Sequence, residues 1–116
     1  MTTAITLKPL PLPCWPALLQ QQGADELLYL ASQEAWRQLQ QESGHLLNPG
    51  DRLLDSAASQ WRITLKPLQL IPAGRYQLDE LQPLVQRHAL LEGNCCLSKL
   101  QLHSIHDAMA LMKSLA

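Results

Sequence analysis

The hexapeptide Trp61-Arg62-Ile63-Thr64-Leu65-Lys66 sets Trp61, Ile63 and Leu65 on one side of an extended chain and Arg62, Thr64 and Lys66 on the other. Such alternation marks a strand with one buried face. Just upstream, Arg52-Leu53-Leu54-Asp55 is a second apolar run, and Ser56-Ala57-Ala58-Ser59-Gln60 joins the two. The pair reads as a β-hairpin, so an antiparallel sheet underlies the fold.

Working outward, Asn48-Pro49-Gly50 is a turn cluster, and Gly44 is a helix stop. Before it, two readings compete. Residues 24–42 can form one long helix, or residues 16–31 can form a hairpin with a helix starting after Ser32. Ser32 suits an N-cap, Glu34 suits the first turn, and Ala35, Trp36 and Leu39 share a helical face. The dense run Leu27-Leu28-Tyr29-Leu30 suits a buried strand, and we adopt the hairpin.

Residues 79–92 carry the clearest helical pattern. Asp79 and Gln82 resemble a capping box, and Leu81, Leu84, Val85, His88 and Leu91 form one stripe. Pro83 is expected in the first turn, where its missing N–H costs little, and Gly93 is expected as a left-handed cap. Residues 95–102 read as a strand. Ser104 and Asp107 cap a last helix with the face Ile105, Ala108, Met109, Met112 and Leu115, and Lys113 complements its C-terminal end. At the other end of the chain, Ala4-Ile5-Thr6-Leu7-Lys8 alternates like an edge strand, and Pro9, Pro11, Pro13 and Pro16 interrupt regular structure after it.

The expected fold is therefore a single α+β domain over residues 15–116. It has a mostly antiparallel sheet and about three helices, near 33–42, 79–92 and 105–115, preceded by a Pro-rich strand or arm over residues 1–14. An internal echo supplies an alternative. Ile5-Thr6-Leu7-Lys8-Pro9-Leu10 recurs unchanged as Ile63-Thr64-Leu65-Lys66-Pro67-Leu68, and Asp25-Glu26-Leu27 matches Asp79-Glu80-Leu81. A duplicated βαβ unit would give a ferredoxin-like βαββαβ fold with an added C-terminal helix.

Composition narrows function mainly by exclusion. The 116 residues suffice for one domain, and 47% hydrophobic content excludes wholesale disorder. No Phe is present, so leucine must build the core. A net charge of −1 offers no basic surplus for a phosphate backbone. No apolar run reaches the roughly 18 residues of a bilayer span, and the first residues lack the pattern of a secretory signal. Three cysteines, Cys14, Cys95 and Cys96, fit no disulfide framework, which makes a cytoplasmic setting the expectation.

Few residues invite chemistry. His88, Cys95 and Cys96 could form a thiol or redox centre, since a catalytic thiolate needs a neighbouring base or helix N-terminus. Cys96, His103 and His106 are the candidate metal ligands, but adjacent cysteines on a strand point to opposite faces. A hydrogen-bonded core role suits His88, and surface roles suit His103 and His106. Asp51 and Asp55 fall on one strand face, where we expect them to meet solvent. Arg62, Thr64 and Lys66, with Arg52 alongside, form a polar strand face without the stacking aromatics of an RNA-binding sheet, because Trp61 shares its face with Ile63 and Leu65. Trp15, among prolines, either covers the core or belongs to an arm that docks on a partner.

The stretches Trp15-Pro16-Ala17-Leu18-Leu19, Glu26-Leu27-Leu28-Tyr29-Leu30, Asp51-Arg52-Leu53-Leu54-Asp55-Ser56 and Arg87-His88-Ala89 stand out together with Trp36, Gly93, Cys95-Cys96 and Lys99. In these the chain resembles a small uncharacterised domain family of marine gammaproteobacteria, across most of residues 15–112. The resemblance implies the hairpin over 16–31 and a bacterial cytoplasmic setting, and it implies no activity. With no catalytic constellation, the expected function is a non-enzymatic protein-interaction or regulatory module. It would have a protein partner, no cofactor, no membrane association and no dedicated nucleic-acid binding. The alternative is a small thiol- or metal-dependent enzyme or sensor using His88, Cys95 and Cys96.

Overall fold

In the computed structural model, which describes residues 11–93 and 101–116, the leucine-rich runs pair into one five-stranded antiparallel sheet. Its strands are β1 (Ala17–Gln20), β2 (Leu27–Leu30), β3 (Arg52–Asp55), β4 (Ser59–Leu65) and β5 (Leu68–Arg75), in the spatial order β2-β1-β3-β4-β5. Helix α1 (Gln33–Ser43) follows β2, and α2 (Leu78–Leu91) and α3 (Ile105–Leu115) close the chain.

The hairpin over residues 16–31 is present, with Leu18 opposite Tyr29 and Leu19 opposite Leu28. Ser32 caps α1 by accepting the Ala35 N–H at 3.2 Å. A single 3-10 turn (Gly44–Leu46) extends α1, so Gly44 stays right-handed and the chain turns after it. The hairpin of β3 and β4 is also present, with Leu53 opposite Trp61.

Alternation then divides the leucines between two cores. Leu18, Leu27 and Leu54 face α2 and α3 and pack with Leu81, Val85, Ala108, Met109 and Met112. Ala17, Leu19, Leu53, Trp61 and Ile63 face the other way, onto Trp36 of α1. The sheet thus lies between α1 on one face and the α2–α3 pair on the other.

Several expectations need correction. The element order ββαβββαα is not the ferredoxin-like βαββαβ. The two Asp-Glu-Leu copies also differ in structure, since Leu27 opens β2 whereas Asp79, Glu80 and Leu81 lie in α2. Helix α2 begins one residue early, at Leu78, with Gln77 as N-cap and no side-chain cap bond, so Asp79 and Gln82 form no capping box. Pro83 therefore lies in the second turn. The buried stripe of α2 is Leu81, Val85, His88 and Ala89, while Leu91 is 60% exposed. Gly93 does adopt φ +80° just past the helix. Ser104 caps α3 through the Asp107 N–H at 3.0 Å, as expected.

Residues 4–8, the first copy of the hexapeptide, and Cys95 and Cys96 lie outside the described residues. Of the expected strand over 95–102 only Gln101 and Leu102 are described, and neither is in a strand. Strand β5 had no expected counterpart. It contains Pro72 and Gly74, both strand breakers. An outer strand tolerates them because only one of its edges must complete a ladder, and a register irregularity opposite, between Ser59 and Trp61, takes up the misfit.

Candidate functional site

Asp51 and Asp55 share one strand face as alternation requires, but that face is the buried one. Each is 1% exposed, against our expectation of solvent. Asp55 Oδ1 accepts the Ala57 and Ser59 N–H groups at 2.9 Å each. Its Oδ2 accepts the Cys14 N–H at 3.0 Å and the Trp61 indole N–H at 2.9 Å. Asp51 accepts the Gln22 N–H at 2.8 Å through Oδ1 and the Asn48 N–H at 2.9 Å through Oδ2. Buried carboxylates are tolerable when N–H donors replace water. Asp55 thus shapes the β3–β4 turn, where Ala58 takes φ +65°.

The same carboxylate ties the N-terminal lead-in to the sheet. Besides the bond to Cys14, the Ser56 N–H donates to the Cys14 carbonyl at 3.1 Å, and the Ser56 hydroxyl donates to the Pro16 carbonyl. Trp15, between these anchors, packs against the α1-side core, so it covers the core. Its indole N–H is buried and has no acceptor.

Trp15, Trp36, Leu68, Leu70 and Pro72 enclose a groove of about 280 Å³ between α1, the lead-in and β5. Gln33, Gln40 and Gln69 also line it, and among the described residues no charged side chain does. It follows Leu68–Pro72 of β5, which among the described residues pairs with β4 alone and is the outer strand. Sequence reasoning missed this wall because it missed β5. The available signal was Leu68 and Leu70, two apart, directly after a strand with a turn at Lys66-Pro67.

The histidines are dispersed. His88, 4% exposed, accepts the Leu27 N–H on Nδ1 at 3.1 Å and so joins α2 to β2. It borders a hollow of about 350 Å³ together with Glu26, Glu92 and Met112. His103 precedes α3 and His106 lies in its first turn, both exposed. Among the described residues no three His, Cys, Asp or Glu side chains converge to hold a metal. Cys14 is a free, exposed thiol. The burial of Tyr76, and secondarily the nearby Asp55 charge, raise its phenol above the ordinary tyrosine range. Its hydroxyl donates to the Asp55 carbonyl at 2.5 Å. Among the described residues no helix is long and apolar enough to cross a membrane.

Residues 15–112 match the family DUF4144, described as a protein structure with unknown function. A protein from Shewanella amazonensis, solved by NMR, is 37% identical with a TM-score of 0.75, covering 93% of this chain and 94% of that one. No curated protein matches.

Proposed function

The chain belongs to the DUF4144 family, whose description names no chemistry, and from the groove we propose a protein-interaction module. The observation that carries it is a groove, apolar and uncharged among the described residues, running along β5, the outer strand of the described sheet. An outer strand offers unpaired backbone groups to an extended peptide, and an adjoining groove accepts every second side chain. Pro72 and the irregularity opposite Trp61 blunt the far half of β5, which leaves Leu68–Ile71 as the half suited to pairing. The occupant is an extended segment of a partner protein with alternate apolar residues and no charge on its inward face, because Gln33, Gln40 and Gln69 would leave a charge without a counter-ion.

The test is selection from a displayed library of short random peptides. We expect enriched peptides with alternating apolar positions that shift the amide resonances of Leu68–Ile71. Leu70→Asp should abolish their binding. Gln40→Glu, at the rim of the groove, should weaken it without touching the core. Failure to enrich any peptide, or enrichment indifferent to both variants, overturns the proposal.

The proposal includes a cytoplasmic setting, supported by the exposed free thiol of Cys14, which a reducing compartment tolerates. Fractionation of host cells expressing a tagged chain tests it, and recovery in the periplasm or medium contradicts it.

A further inference from the structure

On the opposite face, β1, β3, β4 and β5 carry an uncompensated pair of cations. The registers place Gln20, Arg52, Arg62 and Ile71 side by side in one row. Arg52 and Arg62 are thus direct cross-strand partners, an arrangement of like charges that destabilises a sheet. Strands relieve such pairs with a carboxylate, but here the relief is neutral. Arg52 Nε donates to Gln20 Oε1 at 2.6 Å and one of its terminal nitrogens donates to Gln60 Oε1 at 2.8 Å.

The Gln60 side chain is itself oriented, since its Nε2 donates to the Arg75 carbonyl at 2.7 Å. A polar chain therefore runs from β5 through β4 to β3 and β1, and it holds the half-buried Arg52 guanidinium rigid. Among the described residues two of its five N–H groups are used and no carboxylate pairs with it. Arg62 beside it is exposed, and the ion pair found among the described residues, Glu34 with Arg37, lies elsewhere on α1. Helices α2 and α3 cover Leu18 and Leu54 on this face, whereas in the arginine row Arg52 is half-buried and Arg62 is exposed.

We infer that Arg52 and Arg62 form a binding site for a doubly charged tetrahedral oxyanion, the phosphate of a small molecule. A fixed guanidinium fork beside a second, adjustable one matches the several acceptors of phosphate better than the two of a carboxylate. Nucleic acid fits less well, because no aromatic side chain stands in this row for a base to stack on. The site is independent of the groove, which lies on the other face.

The test uses the full chain and follows the arginine Nε–H resonances during titration with inorganic phosphate, phenyl phosphate, acetate and oligothymidylate. Inorganic phosphate is expected to shift Arg52 and Arg62 together and to saturate, with acetate at least tenfold weaker. Equal binding of phenyl phosphate assigns the site to phosphomonoesters, and its exclusion assigns it to free phosphate. Arg62→Gln should weaken binding at least tenfold. Arg62→Lys should restore only part of it, since it returns the charge without the fork. No saturable shift at about 20 mM phosphate, well above a millimolar Kd, overturns the inference. So does equal affinity in Arg62→Gln, or tighter, steeply salt-dependent binding of oligothymidylate.

Discussion

Asp55→Asn is the substitution that most directly tests how this fold is held. The change keeps the shape of the side chain but turns one acceptor oxygen into a donor. Each carboxylate oxygen of Asp55 receives two N–H groups. Whichever way the amide turns, two N–H donors then face an N–H₂ group, either the half-buried pair from Ala57 and Ser59 or those of Cys14 and the buried Trp61 indole. A buried donor left without an acceptor costs roughly 1–3 kcal/mol, so the loss is roughly 2–6 kcal/mol. That is a large share of the ~5–15 kcal/mol available to a domain. At about 4 °C per kcal/mol for this size, Tm should fall by roughly 8–24 °C. Asp51→Asn supplies the internal scale, because each of its oxygens receives one donor, and it should cost roughly 1–3 kcal/mol. Asp25→Asn, at an exposed position, should stay within about 0.5 kcal/mol of the parent. Urea and thermal melts followed by tryptophan fluorescence and circular dichroism give all three values. If Asp55→Asn proves as stable as Asp25→Asn, or more stable than Asp51→Asn, the carboxylate does not organise the turn as described.

Three further outcomes follow from individual contacts. His88→Leu leaves the Leu27 N–H without its acceptor and should cost roughly 1–3 kcal/mol in a urea melt, whereas His88→Gln, whose amide oxygen can accept, should recover part of it. Gly93→Ala meets no atom within 4 Å of its new Cβ but must hold φ +80°, so it should cost about 1 kcal/mol through backbone strain alone. Tyr76, raised by burial and by Asp55, keeps its proton better in the folded chain than in the unfolded one. Stability should therefore be intact below about pH 10 and fall as pH climbs beyond it. Tyr76→Phe should flatten that alkaline slope in denaturation measured across the range, and an unchanged slope would exclude Tyr76 as its source.

The hairpins, both serine caps, the face of α3 and all of the α2 face but Leu91 were legible because each depends on local spacing. Trp61, Ile63 and Leu65 announce their strand whatever else surrounds them. The fate of Asp51 and Asp55 was not legible. Alternation correctly put both on one face, but which face α1 would cover depends on Trp36 joining the cluster of Trp61, Leu53 and Ile63, an association between distant parts of the chain. Once that face is covered, a carboxylate survives only by collecting N–H donors, and the donors come from the lead-in, the turn and an indole. Strand β5 was hidden for a related reason. Pro72 and Gly74 are breakers on local grounds, and only its place at the edge of the sheet makes them harmless. The groove inherits both omissions, having β5 as one wall and the Asp55-anchored lead-in as the other.

Strand lengths explain why both proposed surfaces lie where they do. Strands β1, β2 and β3 have four residues each, while β4 has seven and β5 eight. Register with β3 ends at the Arg52–Arg62 pair. Beyond it the rows Ile63–Leu70, Thr64–Gln69 and Leu65–Leu68 have β4 and β5 alone. At about 3.3 Å per residue, that leaves roughly 10 Å of two-stranded ribbon past the full width of the sheet. Such a ribbon is marginal unless something packs on it. On the α1 side that support is a row of side chains from Gln33, Trp36 and Gln40, with the groove left between them and β5. On the other side the last full row of the sheet is the arginine row itself, set at the step where the covered sheet gives way to the bare ribbon. A partner strand on β5 and an oxyanion on Arg52 and Arg62 would each stabilise this overhang from one face. Elsewhere the described sheet is covered by α1 on one face and by α2 with α3 on the other.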